Sequence, residues 1–183
     1  EAKDLNGKTI GTQGLGTINE YSARAWINKN GGDASSVKFV EMKFADKPKA
    51  LTAGHVDATV LTEPYLELAK KSGARVLGYP FEAIAKEFPV NAWATTPRWD
   101  EDHSDLAKRF AGVMRQTAIW ANKNRTKSGE VLAKYTGVDP PAATVLYAEQ
   151  LTASMIQPQI DVLAEYGNFS KFPAAELLEP GSS

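Results

Sequence analysis

The stretch Lys8-Thr9-Ile10-Gly11-Thr12-Gln13-Gly14-Leu15-Gly16-Thr17-Ile18-Asn19-Glu20 decides how the rest of the chain is read. Its first six residues, with β-branched side chains at Thr9, Ile10 and Thr12, read as a strand. Gly14-Leu15-Gly16 reads as a tight loop, because glycine reaches backbone angles closed to other residues. Thr17 and Glu20 form the T-x-x-E pattern of a capping box. The spacing therefore predicts a helix from Thr17 to about Asn28, stopped by Gly31-Gly32.

Working outward, the alternation continues. Ser36 to Met42 reads as a second strand. Asp46-Lys47-Pro48 starts a short helix, with Asp46 as cap and Pro48 in the first turn, and Gly54 ends it. Val56 to Leu61, mostly apolar, reads as a third strand buried in a parallel sheet. Glu63-Pro64 opens a helix closed by Gly73. Arg75-Val76-Leu77 and Val90 to Thr95 read as fourth and fifth strands. This pattern predicts an α/β fold with a parallel sheet and helices on both faces.

After about residue 97 only helical stretches are expected, near 103–123, 127–136, 140–149 and 158–166. In the first of these, Leu106, Phe110, Val113, Met114, Thr117 and Trp120 fall on one face. Phe172-Pro173 breaks the tail, and Gly181-Ser182-Ser183 is expected to fray. The division falls at residue 95: an α/β part over 1–95 and a helical C-terminal part over 96–183. The second part has helices but no strands of its own for them to cover.

Composition narrows the function. The chain has 183 residues, 43% hydrophobic and 23% charged, with a net charge of −1. With no basic block, binding to nucleic acid or an anionic membrane is not expected. No apolar run approaches the roughly 20 residues of a membrane helix. Cysteine is absent, which excludes disulfides, thiolate metal sites and thiol nucleophiles. The two histidines, His55 and His103, lack partners at ligand spacing, so no metal site and no cofactor are expected.

Several motifs resemble a known family. Asp4-Leu5-Asn6-Gly7-Lys8-Thr9-Ile10-Gly11 is similar to the segment that opens the second lobe of nitrate/sulfonate/taurine-type substrate-binding proteins of ABC importers. Ala50-Leu51-Thr52-Ala53-Gly54-His55-Val56-Asp57-Ala58 resembles that family's A-L-x-x-G-x-V-D-A, and Glu63-Pro64-Tyr65 its D/E-P-[YF]. Gly73-Ala74-Arg75-Val76-Leu77 continues the match, as do Ile156 to Asp161 and Phe172 to Glu176 near the end. The resemblance implies a lobe of the type II periplasmic-binding-protein kind, two lobes joined by a hinge, and a ligand in the cleft between them. It also implies a first lobe of roughly 100 residues ahead of this start, a size ordinary for a domain. The C-terminal helices would pack on that lobe.

Candidate ligand contacts follow the strand ends, because ligands of open α/β sheets bind there. Gly14, Gly16 and Thr17 sit at a helix N-terminus, where free N–H groups and the helix dipole favour an anion. Glu63 and Tyr65 follow the third strand on the same edge. Tyr65 could stack on a ligand, and Glu63 could accept from one or serve its own helix. Asn91 and Trp93 share a face of the expected fifth strand, which the resemblance makes a return hinge. Lys43 reads as a solvated lysine, Asn19 and Tyr21 are weaker candidates, and Trp26, Trp99 and Trp120 read as packing residues.

The expected function is capture of a small anionic ligand, such as a sulfonate, nitrate or carboxylate, and delivery to ABC permease subunits in the membrane, without catalysis. The resemblance implies a periplasmic or other extracytoplasmic location, soluble or lipid-anchored. Self-association through the surface left for the first lobe is a further expectation. Two alternatives share the fold: a pyrimidine-precursor enzyme, which needs a nucleophile or metal set, and the effector-sensing domain of a transcription regulator, which needs a helix-turn-helix arm.

Overall fold

β1 (Thr9–Thr12) is the central strand of a three-stranded parallel sheet of order β2-β1-β3 in the computed structural model, which describes residues 1–63, 65–136 and 146–178. β2 (Lys38–Glu41) pairs with it from Thr9↔Lys38 to Thr12↔Glu41, and β3 (Ala58–Thr59) pairs at Ile10↔Ala58 and Gly11↔Thr59. α1 (Ile18–Lys29) crosses from β1 to β2, and α2 (Lys47–Thr52) crosses from β2 over to β3. The two crossovers run in opposite directions across the sheet, so right-handed connections put α1 and α2 on opposite faces. α3 (Tyr65–Lys71) follows β3.

The core explains why α1 sits where it does. Ala23 and Ile27 of α1 pack with Ile10, Phe39 and Val60 of the sheet region, closed off by Leu5, Ala34 and Val37. A second cluster lies beside α1: Ala25 meets Ala83 and Val162, with Tyr21, Trp26, Ile84 and Tyr166 around them. Val162 and Tyr166 belong to α6 (Ala153–Tyr166), and the Asn28 amide donates to the Tyr166 hydroxyl at 3.2 Å. Gln157 ties α6 to the tail: its amide donates to Phe172 O at 3.1 Å and its carbonyl accepts from the Ala174 N–H at 2.7 Å.

The described residues form two compact units, 1–88 with 153–178, and 89–136 with 146–152. The first unit takes in the sheet, α1 to α3 and the residues up to Phe88. α6 and the segment after it belong with the α/β unit, because Val162 and Tyr166 find their apolar partners on α1.

Two expected strands do not form. Arg75–Leu77 runs irregularly. The chain is drawn instead to α1, where Gly78 lies so close to the Trp26 ring that an added Cβ would sit 2.2 Å from it. Pro80–Ala83 then packs on α1, with the Lys29 ammonium donating to Ala83 O. Val90–Thr95 is likewise not a strand, and its residues are exposed. A β-prone sequence with no neighbouring strand to pair with gains nothing from extension. The third strand is shorter than expected, although the Val60 N–H still donates to Gly11 O.

In the second unit, α4 (Pro97–Lys123) starts earlier than expected. The Thr96 hydroxyl accepts from the Trp99 N–H, and Pro97 fills the first turn. The helix kinks at His103, whose ring stacks on Trp99 at 4.7 Å. α5 (Arg125–Thr136) follows. The described part of the helix expected at 140–149 is not helical: Tyr147 and Glu149 are instead held by the Asn122 side chain. Its remainder, and the tail from residue 179, lie outside the described residues. Among the described residues no strand lies beyond 105, and no helix is long and apolar enough to cross a membrane.

Candidate functional site

β1 and β2 are parallel, so their C-terminal ends open onto one edge of the sheet. A cavity of about 570 Å³ lies there, lined by Gln13 after β1 and by Glu41, Met42, Lys43, Phe44 and Asp46 from the end of β2 onward. This is the edge at which open α/β sheets take ligands.

The loop after β1 follows the expected path with a different hydrogen-bond pattern. Gly16 has φ +73°, a conformation that suits glycine. Thr17 is the residue preceding α1, but its side chain does not cap the helix: the hydroxyl donates to Gly14 O at 2.8 Å. Glu20 does not reach back to Thr17 either. One carboxylate oxygen accepts from the Gly16 N–H at 2.8 Å, and the other is held by Arg24 Nε and Nη2 at 2.7 and 2.6 Å. Arg24 in turn donates to Ala34 O and lies over the Phe39 ring. The expected capping box is therefore replaced by a buried carboxylate fixed by an arginine one turn later. The N–H of Gly16 is already engaged, so an acidic group at this loop would meet Glu20.

Glu63 serves its own helix: its carboxylate accepts from the Glu67 N–H at 3.3 Å. Tyr65 stacks on Phe44, ring centroids 5.7 Å apart and nearly parallel at 7°, which brings it beside the cavity lining. Asn19 is buried and donates to the Gln13 side chain. Lys43 lies on the cavity rim and is exposed. Asn91 and Trp93 belong to the second unit. Trp93 is 75% exposed and meets Phe110 edge-on at 5.5 Å, and the shared strand face expected for it and Asn91 is not formed. Trp26 packs as expected, whereas Trp99 and Trp120 are partly exposed.

The residues that pattern reading passed over are Phe44 and Lys47. Lys47 opens α2, yet it is completely buried. Its ammonium donates to Val60 O at 2.8 Å and sits 4.1 Å from the centre of the Phe44 ring. Among the described residues no carboxylate pairs with it. Burial lowers its pKa from 10.5 to about 8. The local signal was present only in part, since Asp46-Lys47-Pro48 marks a helix start but not which side chain turns inward.

Among the described residues no group of three or more acidic or histidine side chains is placed to hold a metal ion. His55 is exposed after α2, and His103 is engaged with Trp99.

The family model described as NMT1/THI5 like matches residues 1–128. The chain belongs to this NMT1/THI5-like family. No curated protein is similar enough in sequence to match it. Two solved structures share the fold of this NMT1/THI5-like chain. One is the alkanesulfonate-binding protein SsuA from Xanthomonas axonopodis pv. citri bound to MOPS, with a TM-score of 0.68 and 19% identity, covering 96% of this chain and 64% of that one. The other is the periplasmic aliphatic sulphonate binding protein SsuA from Escherichia coli, with a TM-score of 0.67 and 17% identity, covering 98% of this chain and 61% of that one. The chain thus spans less than two thirds of the length of either.

Proposed function

We propose that the chain forms one wall of a solute-binding cleft in the substrate-binding component of an ABC importer, and that it carries out no chemistry. The observation that carries this reading is the cavity at the C-terminal edge of the parallel sheet, next to a glycine loop and the Phe44–Tyr65 stack. The family match and the likeness to two sulfonate-binding proteins support it.

The ligand is a small anion of the sulfonate, nitrate or carboxylate type. Tyr65 offers the ligand a ring face and a hydroxyl, and the backbone of Gly14, Gly16 and Thr17 packs against its uncharged part, because Glu20 already holds the Gly16 N–H. Glu63 holds α3 in place beneath Tyr65. Delivery is to membrane permease subunits, from an extracytoplasmic position, soluble or lipid-anchored. The helical second unit supplies apolar surface for the other lobe, which is also the surface through which copies would self-associate.

Thermal unfolding in the presence of nitrate, ethanesulfonate and acetate tests the reading. A ligand held by the folded state raises stability with saturation, by about 2.7 kcal/mol at a hundredfold excess over Kd. A saturable rise for one anion over chloride at equal ionic strength is expected. Equal, non-saturating responses to all of them would count against capture.

A further inference from the structure

We propose that Lys47 is the buried cation that pairs with the ligand's acidic group, with Phe44 and Tyr65 as an aromatic cover over it; this rests on the capture reading above. The geometry points to it on three counts. Lys47 is completely removed from solvent, and among the described residues its acceptors are one carbonyl, Val60 O, and one ring face. An ammonium carries more donors than those can satisfy. A buried charge without an opposite charge is costly, so an anion that completes the set supplies the missing opposite charge. The second count is position: Asp46 and Phe44, on the short turn leading into Lys47, both line the cavity at the ligand-binding edge of the sheet. The third is the cover, since the Phe44 ring touches both the ammonium and Tyr65.

Among the described residues no carboxylate pairs with Lys47. Glu67 of α3 holds Lys70, and Asp57 before β3 pairs with Lys8 and accepts from the Thr9 N–H. Asp46 and Glu41 share the cavity rim with Lys43, so an arriving anion gains little from the rim itself. A ligand acid reaches the ammonium when the Phe44 ring tilts aside, and Tyr65 moves with its stacking partner. The class of ligand is a compact oxyanion, small enough to pass that ring.

The test is a nuclear magnetic resonance titration of the Lys47 side chain in the full 183-residue chain, with ethanesulfonate, nitrate or acetate against chloride at equal ionic strength. Lys47→Met, which keeps the stem and removes the charge, is measured in parallel. The proposal expects one of the probes to raise the Lys47 titration midpoint by roughly one unit or more, and Lys47→Met to bind that probe at least about tenfold more weakly, as the loss of a charged hydrogen bond implies. If backbone signals at Gly16 and Tyr65 respond to a probe while the Lys47 midpoint stays fixed, the assignment falls and the capture reading stands. If no probe moves any signal at the sheet edge, the capture reading falls and this assignment falls with it.

Discussion

The two compact units use similar apolar side chains in opposite ways. In the α/β unit, Ile10, Ile27, Phe39 and Val60 are buried against one another. In the second unit, among the described residues only Ala118 and Ala121 are buried, while Leu106, Phe110, Val113 and Trp120 of α4 remain 44–60% exposed. Both patterns are amphipathic in the sequence. The difference shows that periodicity specifies which face of a helix is apolar and leaves open what covers it. In the first unit the sheet and α1 supply the cover.

Core truncation should separate the units most sharply. Ile27 is 1% exposed in the main cluster. Ile27→Ala is expected to cost about 2–5 kcal/mol in denaturant unfolding. Val113→Ala, on the exposed face of α4, is expected to cost less than about 0.5 kcal/mol. Equal costs would mean that the α4 stripe is covered in solution.

The next effect depends on pH and belongs to the α/β unit alone. Lys47 has a folded pKa near 8, below its ordinary 10.5. The unfolded state therefore binds more protons between those values, and stability rises with pH across that window. The cost of the buried charge is fully present below pH 8, and its relief by pH 10.5 is on the order of 2–3 kcal/mol. Lys47→Met should abolish this slope and be the more stable protein at pH 7. The difference between the two proteins, followed by chemical denaturation, isolates the lysine from Tyr166, whose pKa burial raises.

Glu20→Gln comes third. Glu20 is 6% exposed and holds both Arg24 and the Gly16 N–H. Its replacement should cost about 1–3 kcal/mol by leaving a half-buried guanidinium without its charge partner. Smallest is Thr17→Ala. Because the hydroxyl bonds Gly14 O and does not cap α1, the loss should stay below the roughly 1 kcal/mol of a lost helix cap. A loss of about 2 kcal/mol in the same unfolding assay would restore a capping role.

What could be read in advance follows the range of the interactions. The unit from Thr9 to Lys29 was legible because strand, glycine loop and helix are each signalled within a few residues. Arg75–Leu77 and Val90–Thr95 were not, since a strand exists only where another strand is free to pair with it, and that depends on distant residues. Gly78 against Trp26 shows the competing contact. The glycine turn and the placement of Tyr65 after a strand were legible as local structure. The buried Lys47 was not, because lysine at a helix start is ordinarily solvated and its inward turn is dictated by Phe44 and Val60 O. The Glu20–Arg24 pair has i,i+4 spacing and was readable in principle, but the capping-box pattern pointed the carboxylate one residue too far along.

A crystal structure of the chain grown with ethanesulfonate tests the central claim most directly. Density for the sulfonate is expected at the C-terminal edge of the sheet, in the cavity bordered by Gln13, Lys43 and Phe44. A sulfonate bound only elsewhere, for instance along α4, with that cavity unchanged, would contradict it.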